Sequence, residues 1–177
     1  MSKFLNKKDI NIFIQKNSNK KIVFTNGCFD ILHPGHIHLI SKAKLLGDIL
    51  IVGLNSDSSV KTLKGNNRPI YKEYDRIKIL CSLRDVDYVT IFNDKTPLNL
   101  IKKIIPNVLV KGGDYNITNI IGAQFVIDNG GTVEVIKLKK GVSTTKLINN
   151  FKWFYVYRLS IIFYNAFLFS VELVCFK

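Results

Sequence analysis

Residues 21–40, KIVFTNGCFDILHPGHIHLI, change character twice within a short span, and the rest of the chain can be read outward from them. Residues 21–25 form an apolar run that predicts a buried strand. Gly27 and the polar residues after it break that run. Gly35 then opens a helix with His36, Leu39, Ala43 and Leu46 on one side, and Gly47 ends it. A strand, a tight glycine turn and a helix N-terminus together make an anion site, because backbone N–H groups and the helix dipole point at one spot. His33 and His36 stand three apart at that spot, with Pro34 and Gly35 between them. Such a pair could cap the helix or bind a metal, but three-apart histidines alone are a weak metal signal. The glycines favour a phosphate ligand. Imidazole N–H groups can donate to a phosphoryl oxygen as charge builds on it.

Apolar runs and helical periods alternate on the C-terminal side of this stretch. Residues 48–54 (DILIVGL), 86–92 (VDYVTIF), 108–110 and 132–138 predict strands. Residues 58–63, 72–83, 96–105 and 119–128 predict helices, with Pro97 in a first turn and Pro106 as a stop. A short leading helix is expected over 8–15. This βαβα alternation with short connections predicts an α/β, Rossmann-like fold: a doubly wound, mostly parallel five-stranded sheet with helices on both faces. Ligands of such sheets bind beyond the carboxyl ends of the strands. The polar clusters 25–36, 55–57, 111–114 and 141–145 all fall there, which predicts one shared site.

The composition suits one compact domain with a real core: 177 residues, 47% hydrophobic and 22% charged. The formal net charge of +13 could serve nucleic acid or an anionic membrane. Yet only Arg68, Arg76, Arg84 and Arg158 among the 26 basic residues are arginine, and the lysines are scattered. Specific nucleic-acid surfaces lean on arginine, so no nucleic-acid partner is expected; a polyphosphate substrate would still benefit from the positive field. The three cysteines form no C-x-x-C pair, which argues against structural zinc, and no metal-binding protein residues are expected. Nothing suggests a disulfide framework, and residues 1–13 hold no uninterrupted apolar run, so a cytoplasmic protein without a signal peptide is expected. The glycines do not fit G-x-G-x-x-G after a strand, and no G-x-x-x-x-G-K-[ST] occurs. A dinucleotide-dependent dehydrogenase and a P-loop kinase are both disfavoured.

The run 27–36, GCFDILHPGH, resembles the H-x-G-H signature of the nucleotidyltransferase superfamily that includes the cytidylyltransferases, and Ser143-Thr144-Thr145 resembles the segment that closes the same site. Three further pieces narrow the resemblance: TNGCFD at 25–30, the set Asn55, Asp57, Lys61, Lys64, Gly65, Arg68 and Pro69, and KGGDY at 111–115. Together they resemble the adenylyltransferases that act on D-glycero-β-D-manno-heptose 1-phosphate, alone or as part of a bifunctional kinase–adenylyltransferase. Glycerol-3-phosphate cytidylyltransferases usually carry Arg-Thr-Glu before the glycine of the Ser-Thr segment. Leu138-Lys139-Lys140 stands there instead, which favours the heptose branch.

The resemblance implies transfer of a nucleotide from ATP to the sugar phosphate, with Mg²⁺ bridging the phosphates, and a homodimer. Its site residues follow by position. His33, His36, Lys64 and Arg76 would serve catalysis, the histidines as donors to the transition state and Arg76 by neutralising phosphate. Thr25, Asn26, Gly27, Cys28, Phe29, Asp30, Gly35, Lys111, Gly112, Asp114, Ser143 and Thr144 would hold the nucleotide. Asn55, Asp57, Lys61 and Arg68 would hold the acceptor. Asp30 could instead orient a histidine. Read without the resemblance, Lys61 and Lys64 are solvated surface lysines, Arg76 an ion-pair partner, Ser143 a helix cap and Cys28 small-residue packing. The resemblance divides the chain into a helical lead-in (1–17), a nucleotidyltransferase domain (18–150) and a tail (151–177).

The tail, from Trp153 WFYVYRLSIIFYNAFLFSVELVCFK, is abruptly apolar and aromatic. A membrane span needs about 20 apolar residues, and Arg158, Asn165 and Glu172 interrupt this one. Three readings stay open: contact with a membrane surface, packing on the domain or across a dimer, or a non-native ending. A non-catalytic, membrane-associated relative is the reading of a different class. If the tail holds the protein to membranes, truncation after Asn150 moves it to the soluble fraction. Equal fractionation of full-length and truncated protein overturns that reading.

Overall fold

The computed structural model describes residues 3–137. Ser143, Thr144, Thr145 and the 151–177 tail lie outside the described residues. Five strands form one all-parallel sheet: β1 (Ile22–Gly27), β2 (Ile49–Asn55), β3 (Tyr88–Phe92), β4 (Val108–Gly112) and β5 (Thr132–Ile136), in the order β3-β2-β1-β4-β5. A parallel sheet covered on both faces needs apolar side chains on both, so its strands read as continuous apolar runs. Ile22, Phe24, Ile51, Leu109 and Val133 point into one layer, with α1 (Ile10–Lys16), α5 (Leu98–Ile104) and α6 (Ala123–Asp128). Val23, Leu50, Val52, Val108 and Val110 point into the other, with α2 (Pro34–Lys44) and α4 (Glu73–Ser82).

The chain therefore winds outward from β1 to β3 through helices of one layer, then crosses to β4 and β5 through helices of the other. This reversal parts the connections above β1 and β4 and leaves a crevice beyond their carboxyl ends. The short helix α3 (Asp57–Lys64) follows β2 directly, capped by Ser56, whose hydroxyl accepts from Ser59 N–H. It ends at Gly65, which takes φ +93°.

Three features differ from the sequence reading. β1 runs on to Gly27, because both its edges are paired: Thr25 lies opposite Val52 and Val110, and Asn26 and Gly27 lie opposite Gly53 and Leu54. The helix expected over 119–128 is split. A 3₁₀ turn (Ile117–Asn119) comes first, and α6 starts only after Gly122 at φ +88°. A Cβ at Gly122 would come within 2.6 Å of Ile101 Cδ1, so the entry to α6 needs glycine. The leading segment is built into the same domain rather than preceding it: Leu5 N–H donates to Val89 O, Val89 N–H donates to Lys3 O, and Ile10 is fully buried among the α5 side chains. Among the described residues no helix is long and apolar enough to cross a membrane.

Close packing sets a testable limit at β2. A Cβ on Gly53 would sit 2.6 Å from Phe24 Cζ and 3.2 Å from Leu100 Cδ2. Gly53→Ala should destabilise the domain by about 1–3 kcal/mol through overpacking, read from the urea midpoint at unchanged slope.

Candidate active site

His33 is the N-cap of α2, and its Nδ1 accepts the Gly35 N–H at 3.1 Å. Pro34 at the first helical position has no N–H to offer, so the cap reaches to the next residue. With Nδ1 committed as an acceptor, the neutral ring carries its proton on Nε2. The His33 carbonyl accepts from His36 and Ile37 N–H at 2.9 and 3.3 Å. The first amides of α2 are thus satisfied within the helix, where the sequence reading had them free for a ligand. What this corner presents instead is imidazole.

His36 stacks on His33 with ring centroids 3.8 Å apart and an interplanar angle of 25°. Its other neighbour is Phe29, at 5.1 Å and 52°. Phe29 reaches that position from a left-handed backbone (φ +43°), and its ring lies 3.1 Å from where a Gly27 Cβ would stand. Burial, with the adjacent His33 and the Lys64 ammonium adding to it, lowers the His36 pKa to about 4. Burial and then Lys64 lower His33 as well. Both imidazoles are neutral N–H donors at physiological pH. His36 Nδ1 is buried with no hydrogen-bond partner among the described residues.

Arg76 lies inside the domain. Its side chain is fully buried, and its guanidinium donates to Tyr71 O (3.0 Å), Cys28 O (2.7 Å), Asn55 O (2.8 Å) and Asp57 Oδ1 (2.7 Å). It braces the turn after β1, the end of β2, the start of α3 and the entry to α4. The sequence reading made it a phosphate neutraliser. Here four of its five N–H donors go to protein acceptors. Asp57 and Asn55, expected at the acceptor, belong to the same scaffold. Asp57 holds Arg76 through its carboxylate, and its N–H donates to Glu73 Oε2 (3.0 Å); Asn55 is buried and donates to Ser59 Oγ (2.9 Å). Glu73 and Ser59 were not singled out from sequence. Glu73 precedes Arg76 by three positions on one helix face, which was the legible signal.

Asp30, placed at the nucleotide or a histidine by the sequence reading, is buried and pairs with Arg68 Nε. It also accepts Ile70 and Tyr71 N–H at 2.7 and 3.0 Å. It fastens the 66–72 loop. Thr25 is fully buried inside the sheet and Gly35 is buried in α2, so both support the site from beneath.

Other predicted residues lie on the elements that leave the carboxyl ends of β2 and β4. Lys64, exposed at the end of α3, is close enough to depress both imidazoles, and Lys61 stands one turn back on the same helix. Lys111 of β4 donates to Asn26 of β1 across the switch point at 2.7 Å, and burial lowers its ammonium pKa to about 8. Gly112 ends β4, and Asp114 is exposed just beyond it. Burial raises the half-buried Cys28 thiol, against the pull of Lys64, Arg76 and Arg68. Cys28 and Cys81 are free thiols. An apolar groove of about 600 Å³ along α2 meets this corner only through His33. Among the described residues no three His, Cys, Asp or Glu are grouped to hold a metal.

A doubly wound parallel sheet with paired neutral imidazoles and converging cations at the ends of its central strands defines a nucleotidyltransferase domain. Residues 24–150 match the cytidylyltransferase-like family, and the chain belongs to it. It is 53% identical over 135 residues to the bifunctional protein HldE of Campylobacter fetus subsp. fetus, covering 76% of this chain and 29% of that protein. With the protein of the same name from Campylobacter jejuni subsp. jejuni it shares 49% over 150 residues, covering 85% and 32%. The chain spans less than a third of the length of these relatives. Among solved structures it resembles the lipopolysaccharide core biosynthesis protein from Thermoplasma volcanium GSS1, with TM-score 0.54 and 28% identity over 70% of this chain and 99% of that one. Pantoate-beta-alanine ligase from Francisella tularensis shares the fold at TM-score 0.59 and 20% identity, over 80% of this chain and 69% of that one.

The histidine pair predicts a pH dependence of stability. Between the ordinary imidazole value of 6.5 and about 4, the unfolded chain takes up a proton at His36 that the folded chain refuses. Stability should rise with pH across that window and be lost as pH falls through it. Urea midpoints measured from pH 7 to pH 4 should show this slope, and His36→Phe should flatten it.

Proposed function

We propose that the domain transfers AMP from ATP to D-glycero-β-D-manno-heptose 1-phosphate, giving ADP-heptose and pyrophosphate, in the cytoplasm. A phosphate oxygen of the sugar phosphate attacks the α-phosphorus of ATP. The bond from that phosphorus to the bridging oxygen breaks, and pyrophosphate leaves. The attacking oxygen is already anionic at neutral pH, so no general base is required. The demands are in-line placement and stabilisation of crowded negative charge.

The observation that carries this reading is the His33 cap. With Nδ1 fixed on Gly35 N–H, the ring presents Nε2–H in one orientation, and the stacked His36 adds a second neutral donor. Preorganised donors of this kind stabilise a charged transition state without reorganising. Lys64 would neutralise phosphate from the α3 side, and Lys111, Gly112 and Asp114 would line the nucleotide side. Ser143 and Thr144 would add phosphate contacts. ATP would enter as its Mg²⁺ complex, the metal held by the phosphates, because Asp30 and Asp57 are committed to Arg68 and Arg76. The heptose assignment is supported by the TNGCFD and KGGDY runs, by the high identity to proteins named bifunctional protein HldE, and by the structural relative named for lipopolysaccharide core biosynthesis.

Pyrophosphate release should be measured with ATP or CTP against heptose 1-phosphate and glycerol 3-phosphate. Turnover is expected with ATP and heptose 1-phosphate. A preference for CTP overturns the adenylyl assignment, and no turnover with any pair overturns the enzyme reading. His36→Ala should lower kcat by ~10²-fold or more if the ring acts on the transition state, and a change confined to KM would make it a ground-state binder.

A further inference from the structure

The two stacked imidazoles are fixed to different degrees. His33 Nδ1 accepts the Gly35 N–H, which leaves its ring proton on Nε2. His36 Nδ1 is buried with no hydrogen-bond partner among the described residues. A neutral imidazole has one donor nitrogen and one acceptor nitrogen. With Nδ1 enclosed, Nε2 is the nitrogen left to meet a phosphoryl oxygen, and it carries the proton only when Nδ1 is the acceptor. A donor standing at Nδ1 would fix that choice. Thr25 Oγ1 is a second buried polar atom with no partner among the described residues, on a residue that is fully buried. A hydroxyl can donate where an imidazole nitrogen accepts, and buried polar groups are retained where they find such partners.

The fold brings these two groups to one place. Side chains alternate along a strand, so Val23, Thr25 and Gly27 of β1 share a face. That face belongs to the α2 layer. Val23 packs there with Leu39, Ile40 and Ala43, and so do Val52 and Val110, the lateral neighbours of Thr25. His36 precedes those three helix residues by three, four and seven positions, so it is the first residue on the inward side of α2. Joining the parallel strands β1 and β2, α2 runs back along β1 and sets its first turn over the end of that strand. Gly27 has no side chain, and the Phe29 ring takes its place. Phe29 Cε2 is 3.1 Å from where a Gly27 Cβ would stand, and the Phe29 and His36 ring centroids are 5.1 Å apart. The last side chain that β1 itself presents beneath His36 is therefore that of Thr25. We propose that Thr25 is a positioning residue for His36: its hydroxyl donates to His36 Nδ1, directly or through one bridging water, and holds the ring proton on Nε2. The use of that proton rests on the nucleotidyltransferase reading above, whereas the tautomer itself does not.

Wild type, Thr25→Val, Thr25→Ser and Thr90→Val should be compared by nitrogen-15 NMR of histidine-labelled protein at about pH 7, where both rings are neutral, and by steady-state kinetics. The His36 signals are identified by their loss in His36→Phe. Thr90→Val is the control: Thr90 Oγ1 is also buried without a partner among the described residues, but Tyr88 and Phe92 on the same face of β3 pack in the opposite layer. Wild-type His36 should show the Nε2–H tautomer. Thr25→Val keeps the side-chain shape and removes the hydroxyl. It should move His36 toward Nδ1–H and lower kcat by ~10-fold or more, the loss of one oriented hydrogen bond in the transition state, with both KM values unchanged. Thr25→Ser should restore the tautomer and the rate, and Thr90→Val should alter neither. Wild-type His36 in the Nδ1–H form overturns the proposal, and so does a Thr25→Val protein with an unchanged tautomer. A raised KM for ATP at unchanged kcat assigns Thr25 to the nucleotide and also overturns it. An equal loss of kcat in Thr90→Val makes the effect general to the sheet, with the same consequence. If Thr25→Val does not fold, Thr25→Ala and the wild-type tautomer carry the test. If the wild type turns over no acceptor, the functional reading fails separately, and the His36 tautomer in wild type and Thr25→Val still decides the role of Thr25.

Discussion

A guanidinium removed from water is tolerated only when its donors are paired, and the order of this active site hangs on one such group. Arg76 lies within the domain and ties together four chain segments that are distant in sequence. Three of its four acceptors are backbone carbonyls, so the brace sets the main-chain path directly. Through Cys28 O it holds the turn that delivers Phe29, and the Phe29 ring supports His36. Through Tyr71 O it holds the loop that Asp30 grips from the other side. The Phe29–His36 contact and the loop around Tyr71 are thus braced by one buried residue.

Burial shifts the charge state of several groups in the candidate site. Two imidazoles are held neutral, a lysine ammonium is made easier to deprotonate, and one guanidinium nitrogen is buried without an acceptor among the described residues. Burial of the ammonium and of the guanidinium nitrogen is unfavourable in isolation. In the proposed reaction, phosphate negative charge would arrive among these groups between β1 and its neighbours. Preorganisation of this kind places the reorganisation cost in folding and leaves little for the reaction step.

Much of the fold was legible because parallel strands buried on both faces announce themselves as apolar runs, and glycine and proline mark their ends. Residues 21–25, 48–54 and 86–92 were found this way. What periodicity does not carry is where pairing stops. β1 runs on through Asn26 and Gly27 because β2 continues alongside them. The split before α6 follows from Ile101, a residue of another helix. In the site, the histidine pair, Lys64 and Lys111 were visible as residue types at the right ends of strands, whereas the partners of Asp30, Asp57 and Arg76 were not.

The sequence by itself determined the α/β alternation, the corner where phosphate chemistry would sit and the pair of imidazoles that mark it, because these depend on local periodicity and on neighbours within a few positions. Only the tertiary structure decided which acceptors each arginine meets. Arg68 and Arg76 are equivalent on paper, and each stands a few residues from acidic groups. Their difference is set by contacts across 38 and 48 positions of chain, Arg68 to Asp30 and Arg76 to Cys28 O. A buried charge takes its role from the acceptors that folding brings to it, and no local pattern records those.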